Sequence, residues 1–184
     1  MSDNKPVLKV IPIGGLGEIG LNCMVFEYGE EIIVVDCGVM FSDLQMLGVD
    51  IVIPDMNYLK ENASRVKAYI ITHAHEDHIG ALPFALRNHP APIYCTNFAH
   101  KLIEAKLEEH GLASSTEFQI FTPGKTVLFK NFKITAASVN HSIIESMALF
   151  IDTPVVKIVF TGDFKIDPNP YYGKPMDPTP FIDA

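Results

Sequence analysis

Three histidines and a ligand-type aspartate fall within six residues, His73-Ala74-His75-Glu76-Asp77-His78, directly after the apolar run Lys67-Ala68-Tyr69-Ile70-Ile71-Thr72. Imidazole nitrogens and carboxylate oxygens bind borderline divalent cations, with zinc the default and manganese the next choice. A strand places alternate side chains on one face, so His73 and His75 can aim at one cation while Asp77 and His78, past the bend, aim at another. The spacing therefore suits two metals rather than one. A rival reading makes the segment a polar turn in which Asp77 caps a helix beginning near Ile79. That accounts for the aspartate but gives no reason for three histidines at this spacing.

Two further ligand-type side chains stand just past expected strands, which are rigid platforms for a site. Phe132 to Val139 runs into Asn140-His141-Ser142, and Val155 to Phe160 runs into Thr161-Gly162-Asp163. Gly162 lets the backbone approach a cofactor, and the two oxygens of Asp163 could bridge a metal pair. His89 reads as a turn residue, and His100 and His110 as surface or helix-end groups; none of these is expected in the site.

The elements that must position these residues are mostly short strands. Val7 to Ile13, Asn22 to Tyr28 and Glu31 to Asp36 are rich in branched and aromatic residues, with Gly29-Glu30 as a hairpin turn. A loop at Phe41 to Pro54 and a helical stretch at Asn57 to Arg65 precede the strand that delivers the histidines. A helix from about Gly80 to Asn88 tolerates Pro83 only near its first turn. Strand Pro92 to Cys95 leads to a helix at Asn97 to His110, with Asn97 as its cap and Gly111 as its end. Beyond it Phe118 to Phe121, Thr126 to Phe129, Phe132 to Val139, Met147 to Ile151 and Val155 to Phe160 read as strands. The proline-rich Asp167 to Pro180 reads as an irregular linker. The pattern is α+β or α/β, and periodicity alone does not choose the topology.

Gly15-Leu16-Gly17-Glu18-Ile19-Gly20 matches the dinucleotide-binding G-x-G-x-x-G pattern, with Asp36 downstream as a would-be ribose ligand. That motif must open a helix, whereas the residues after Gly20 are strand-like. The glycines therefore read as a tight loop near the site, and Asp36 as a partner that supports a metal ligand from behind.

Composition bounds the rest. At 184 residues the chain can bury one sizeable core, and 48% hydrophobic with 20% charged residues is globular, so one domain is expected over 1–184. No apolar stretch approaches the roughly 20 residues that cross a bilayer, and Met1-Ser2-Asp3-Asn4-Lys5-Pro6 lacks the form of a secretion signal. No membrane partner and a cytoplasmic location are expected. Cys23, Cys37 and Cys95 form no Cys-x-x-Cys pair and read as buried reduced thiols. The formal net charge of -8 opposes a broad nonspecific nucleic-acid footprint. Two divalent cations would cancel half of it, which keeps a phosphodiester substrate open.

A strand, then His-x-His-x-Asp-His, then a lone His and a Gly-Asp after later strands, resembles the metallo-β-lactamase superfamily and its αββα sandwich. Within it, Gly14 to Gly20, Ile53-Pro54-Asp55, Thr72 to Gly80, Lys106-Leu107-Glu108-Glu109-His110-Gly111-Leu112 and Thr161-Gly162-Asp163-Phe164-Lys165 are similar to the N-terminal part of the ribonuclease J family. The resemblance implies that His73, His75 and His141 bind one metal, that Asp77 and His78 bind the second, and that Asp163 bridges them. Asp77 and Asp163 would thus be catalytic as well as metal-binding, and Asp36 matches the family's supporting aspartate. The family continues into a β-CASP domain and the second half of the lactamase-like domain, so 1–184 is expected to be the N-terminal portion of an incomplete domain.

The activity so implied is hydrolysis of RNA phosphodiesters by a metal-bound hydroxide, 5′-to-3′ exonucleolytic with some endonuclease action, in RNA processing and decay. RNA is the expected partner, and a homo-oligomer is open to the full-length protein. Glu76, beside the ligands, reads as a solvated or supporting group rather than a proton shuttle. Two rival functions use the same loop: a small-molecule hydrolase acting on a thioester or lactam, and a noncatalytic metal-binding fragment.

Overall fold

The structure, a computed structural model, describes residues 6–42, 47–182 and 184. The N-terminal reading at 1–5 and the part of the expected 41–54 loop at 43–46 lie outside the described residues. β1 (Lys9–Gly14), β2 (Cys23–Tyr28) and β3 (Glu31–Val35) form the expected antiparallel start. Residues 15–22 join β1 to β2 without a helix, so the glycine pattern is a loop and the dinucleotide reading falls away. A two-residue pairing of β4 (Met40–Phe41) with β5 (Ile51–Val52) appears where only a loop was expected. Strands this short carry no readable period.

The expected helix at 57–65 is split into α1 (Asn57–Glu61) and a 3-10 turn at Ala63–Arg65. After β6 (Val66–Ile70) come α2 (Glu76–Ile79) and α3 (Leu82–Asn88), the latter with its proline in the first turn as expected. β7 (Ile93–Cys95) leads to α4 (Asn97–Glu109). Its cap is Thr96 rather than Asn97: the Thr96 hydroxyl accepts the Ala99 N–H at 3.3 Å. β8 (Phe118–Ile120), β9 (Thr126–Leu128), β10 (Lys133–Ser138), β11 (Met147–Asp152) and β12 (Lys157–Phe160) follow, and α5 (Thr179–Ile182) adds one helical turn at the end of the irregular proline-rich stretch.

Two sheets result. One has the order β1-β2-β3-β6-β7-β8, antiparallel through β3 and parallel from β3 to β8; the other is the antiparallel β12-β11-β10-β9. Alternation along each strand of the first sheet divides its side chains between two cores. Val25, Ile32, Val34, Tyr69 and Ile71 face the helices with Leu82, Ile103 and Leu107. Phe26, Ile33, Val35, Ala68 and Ile70 face the second sheet with Phe132, Ile134, Leu149 and Ile151. Burial on both faces is why these strands read as continuous apolar runs. The layers are helix, sheet, sheet, with Phe181 of α5 packed at a tilt on Phe150, ring centroids 5.1 Å apart, on the outer side of the second sheet.

Candidate metal centre

Strand direction gathers the candidate ligands at one edge. β3 and β6 are parallel, so Asp36 and the 71–78 segment leave the first sheet on the same side. β10 and β12 are each antiparallel to β11, so His141 and Asp163 leave the second sheet together. The Met147 N–H donates to the Thr72 carbonyl at 2.9 Å and closes the gap between the sheets. Ligand sites commonly form at such strand ends.

The histidine segment differs locally from the reading of the sequence. β6 ends at Ile70, so His73 and His75 alternate on extended chain beyond the strand, and α2 begins at Glu76, earlier than expected. Asp77 lies inside the first turn of α2 and does not cap it. Negative charge there is favoured by the unpaired N–H groups of the helix start. The loop is held by its backbone: Asn22 N donates to Asp77 O at 3.1 Å, Cys37 N to His78 O at 2.7 Å and Val39 N to Glu76 O at 3.1 Å. Gly38 makes this approach feasible, since a Cβ there would sit 1.6 Å from the Asp77 carbonyl oxygen.

Behind the ligands sits Asp36, with none of its surface exposed and with φ at +60°. One of its oxygens accepts the Thr72 N–H at 2.8 Å; the other accepts the Thr72 hydroxyl and His78 Nδ1, each at 2.8 Å. Thr72 Oγ1, having given its proton to Asp36, accepts from His73 Nδ1 at 3.0 Å. Both rings are thereby fixed with Nε2 turned toward the site.

In front, His73 Nε2 lies 3.0 Å and His141 Nε2 3.2 Å from the same His75 Nδ1. Neutral imidazole has a single N–H, so lone pairs converge here. Ligand atoms of His73, His75 and His141 all fall within 4.8 Å of one another, as do those of His73, His78 and Asp163. Asp163 reaches His78 Nε2 at 3.7 Å and His141 Nε2 at 3.6 Å, which spans the two sets. Asp77 enters neither set; its carboxylate lies 3.6 Å from His78 Nε2 and accepts Asn22 Nδ2 at 3.1 Å. All six sequence-predicted ligands thus meet around one small volume.

Protonation follows the surroundings. Burial, then the charges of His78 and His141, pushes His73 down to about 2, so it is neutral. At His78 burial opposes charge, but the Asp36 carboxylate with Asp163 and Asp77 outweighs it and raises the group to about 10. The neighbouring His78 ring holds Asp163 down to about 2 despite its partial burial. Carboxylates that favour a proton on His78 would equally favour a divalent cation beside it.

Other candidates fall outside. Glu76 is paired with Lys106 Nζ at 2.9 Å. His89 ends α3 in a bend, as expected of a turn residue, but is fully buried there, with Nδ1 3.2 Å from the Tyr69 hydroxyl. Its neighbour across the helix end is a central-strand tyrosine, which no local signal reveals. His100 packs on Phe118 and His110 on Phe84. Asn22 and Thr72 are site residues that the sequence reading missed. The adjacent glycine loop for Asn22, and the hydroxyl ending an apolar run for Thr72, were the only signals.

A family model described as the metallo-beta-lactamase superfamily matches residues 16–180. The chain belongs to the metallo-β-lactamase superfamily. Among curated proteins it is similar to ribonuclease J 1 of Streptococcus pyogenes, 48% identical over 168 residues that cover 91% of this chain and 30% of that protein. Ribonuclease J of Synechocystis sp. is 43% identical over 172 residues, covering 92% of this chain and 27% of that one. Ribonuclease J of Thermus thermophilus is 41% identical over 174 residues, covering 91% and 30%. The chain therefore spans less than a third of the length of these relatives. Solved structures agree on the fold. A protein of unknown function from Enterococcus faecalis aligns with a TM-score of 0.65 at 18% identity, covering 88% of this chain and 44% of that one. The metallo-beta-lactamase fold protein YhfI from Bacillus subtilis aligns at 0.56 and 24% identity, covering 86% and 63%. Among the described residues no helix is long and apolar enough to cross a membrane.

Proposed function

We propose that this chain forms the metal-binding part of a ribonuclease of the J type, which hydrolyses RNA phosphodiesters as a 5′-to-3′ exonuclease and endonuclease in cytoplasmic RNA processing and decay. The observation that carries this reading is the convergence of His73, His75, His141, His78 and Asp163 in two overlapping sets of ligand atoms, with Asp77 beside His78. The 48% identity to a ribonuclease J supports RNA over other superfamily substrates. His73, His75 and His141 would hold one cation, Asp77 and His78 a second, with Asp163 between them; all-nitrogen and carboxylate donors suit zinc, then manganese. Bound there, such a pair would supply activated water and offset charge on the phosphate oxygens.

The chain's own residues do the positioning. Asp36 and Thr72 lock the His78 and His73 rings so that no reorganisation is needed when a ligand arrives. Gly162, at φ +55°, seats Asp163: a Cβ there would lie 3.1 Å from both Met147 O and Thr72 Cβ. Asn22 Nδ2 orients the Asp77 carboxylate.

The test pairs metal content with turnover. Zinc- or manganese-loaded protein is assayed on 5′-monophosphorylated RNA beside a thioester, and Asp163→Asn is carried through both. RNA cleavage that Asp163→Asn abolishes, together with a fall in bound metal, is the expected result. Turnover of the thioester alone would overturn the nuclease reading, and unchanged metal content in Asp163→Asn would remove the bridging role.

A further inference from the structure

Among the described residues, three other than glycine have positive φ: Leu21 at +57°, Asp36 at +60° and Glu145 at +59°. A side chain in that region crowds its own backbone, so the conformation persists only where surrounding contacts impose it, and such residues gather at functional sites. All three sit on loops that feed the histidine cluster. Leu21 precedes Asn22, which orients Asp77, and Asp36 holds Thr72 and His78. Glu145 lies four positions past His141 and forms no hydrogen bond or ion pair with a candidate ligand among the described residues.

The Glu145 carboxylate reaches the helix layer instead. Its Oε2 accepts the Phe98 N–H at 2.9 Å, 47 positions away, inside the first turn of α4. A helix start leaves its first N–H groups without intrahelical partners, and a carboxylate is favoured there by their partial positive charge. Thr96 supplies an acceptor for the Ala99 N–H from within the helix cap; Glu145 supplies one for Phe98 from another loop. Bond and left-handed backbone fall on the same residue, so the bond offsets the cost of that backbone.

His141 needs such an anchor more than its neighbours do. His73 and His78 are fixed from behind through Nδ1 by Thr72 and Asp36, whereas no group accepts from His141 Nδ1 among the described residues. Its orientation therefore depends on its loop. The neck of that loop is closed where Val139 N donates to Ser146 O at 3.1 Å, and one flank is pinned where Lys165 N donates to Asn140 O at 2.7 Å. Between them, the Ser146 hydroxyl donates to Ile143 O at 3.1 Å and Ile143 packs on the helix-side core. Apart from the contacts of the His141 ring, the Glu145 bond is the one hydrogen bond among the described residues that ties 141–145 to anything beyond its own hairpin. Its other end is a firm one, since Ala99, Ile103 and Leu107 of α4 are buried.

We infer that Glu145 is a positioning residue for His141: by anchoring the far side of the loop to the first turn of α4, it keeps the imidazole Nε2 at 3.2 Å from His75 Nδ1. The inference rests on the reading of the cluster as a metal centre and deepens it by naming what fixes the ligand that a hairpin loop delivers. His141 belongs to only one of the two ligand sets, so loss of the anchor weakens one cation and spares the other.

Two variants separate anchoring from folding. Glu145→Gly removes the bond yet suits the backbone, since glycine takes positive φ readily, and Glu145→Gln keeps an oxygen acceptor in place. Zinc is titrated into metal-free parent and variants against a chromophoric chelator, and thermal unfolding of the metal-free forms is recorded beside it. Expected for Glu145→Gly are one zinc ion bound about 10- to 100-fold more weakly, a second unchanged, and a metal-free melting temperature within roughly 4 °C of the parent's. Glu145→Gln is expected to bind both ions as the parent does. Two ions held by Glu145→Gly as tightly as by the parent would overturn the positioning role while the metal centre stands. Equal weakening of both ions with a lowered melting temperature would do the same, as the mark of a merely structural bond, and so would a Glu145→Gln variant as weak as Glu145→Gly. If the parent protein holds no zinc, both readings fail.

Discussion

The two ends of β2 carry charged clusters built on opposite plans. Near its C-terminal end the buried Glu27 carboxylate receives Lys9 Nζ at 2.7 Å, Arg65 NH2 at 3.0 Å and the Tyr58 hydroxyl. Burial works against its charge, yet these donors hold its pKa down to about 2. Every oxygen there has a partner, and the cluster binds β1, β2 and the α1 segment into one unit. At the other end, Asn22 leads into the histidine cluster, where acceptor nitrogens crowd to 3.0–3.2 Å of one another. The rear of that cluster is satisfied through Asp36, and one side through Asn22. A closed set of complementary charges is architecture. A set of like donors closed behind and open in front is a place for a cation.

Breaking the backbone that brings the loops together should have the largest effect. Gly38→Ala drives a methyl into the Asp77 carbonyl, so metal content measured by atomic emission is expected to fall to background, with stability lowered by about 3 kcal/mol. Asp36→Asn keeps a residue tolerant of the left-handed backbone but removes the charge that fixes Thr72 and His78. Metal affinity by competition with a chelator should drop about 10- to 100-fold, and a drop under twofold would refute the orienting role of Asp36.

Glu27→Gln sharpens the contrast from the other side. It should leave metal content unchanged but cost on the order of 2 kcal/mol at neutral pH, after allowing for the solvent around Lys9. Because the folded pKa is depressed, this stabilisation is present above pH 4.5 and is lost as pH falls from there toward about 2. Urea unfolding of the parent protein should weaken across that window, and the variant's curve should be flatter. The smallest effect is expected for Lys106→Met, which breaks a partly exposed pair with Glu76. A change below about 0.5 kcal/mol with metal content intact is anticipated, and lost metal would give Glu76 a place in the site.

The comparison also explains what was legible beforehand. His73, His75, Asp77 and His78 are near neighbours in the chain, so their spacing was visible as chemistry. His141 and Asp163 were readable only as polar residues past strand ends, and the resemblance to a known family tied them to the same centre. Asn22 and Thr72 escaped because their contacts reach across 55 and 36 positions of sequence respectively. The burial of His89 escaped for the same reason: its partner Tyr69 is 20 residues away in the chain. The Glu27 cluster drew no notice, since Lys9, Tyr58 and Arg65 are unremarkable where they stand in the chain.

Local physics alone determined most of the strands, the turn at Gly29, the end of α4 at Gly111 and the donor types of the histidine loop, which could hold a metal. Those features depend on side-chain period, φ freedom and donor type, all carried by a few adjacent residues. The pairing of β3 with β6, the common direction of β10 and β12, and the closeness of Gly38 to Asp77 were decided only when two sheets packed together. Each depends on contacts between residues tens of positions apart, whose free energy appears only after the intervening chain has been closed into a loop.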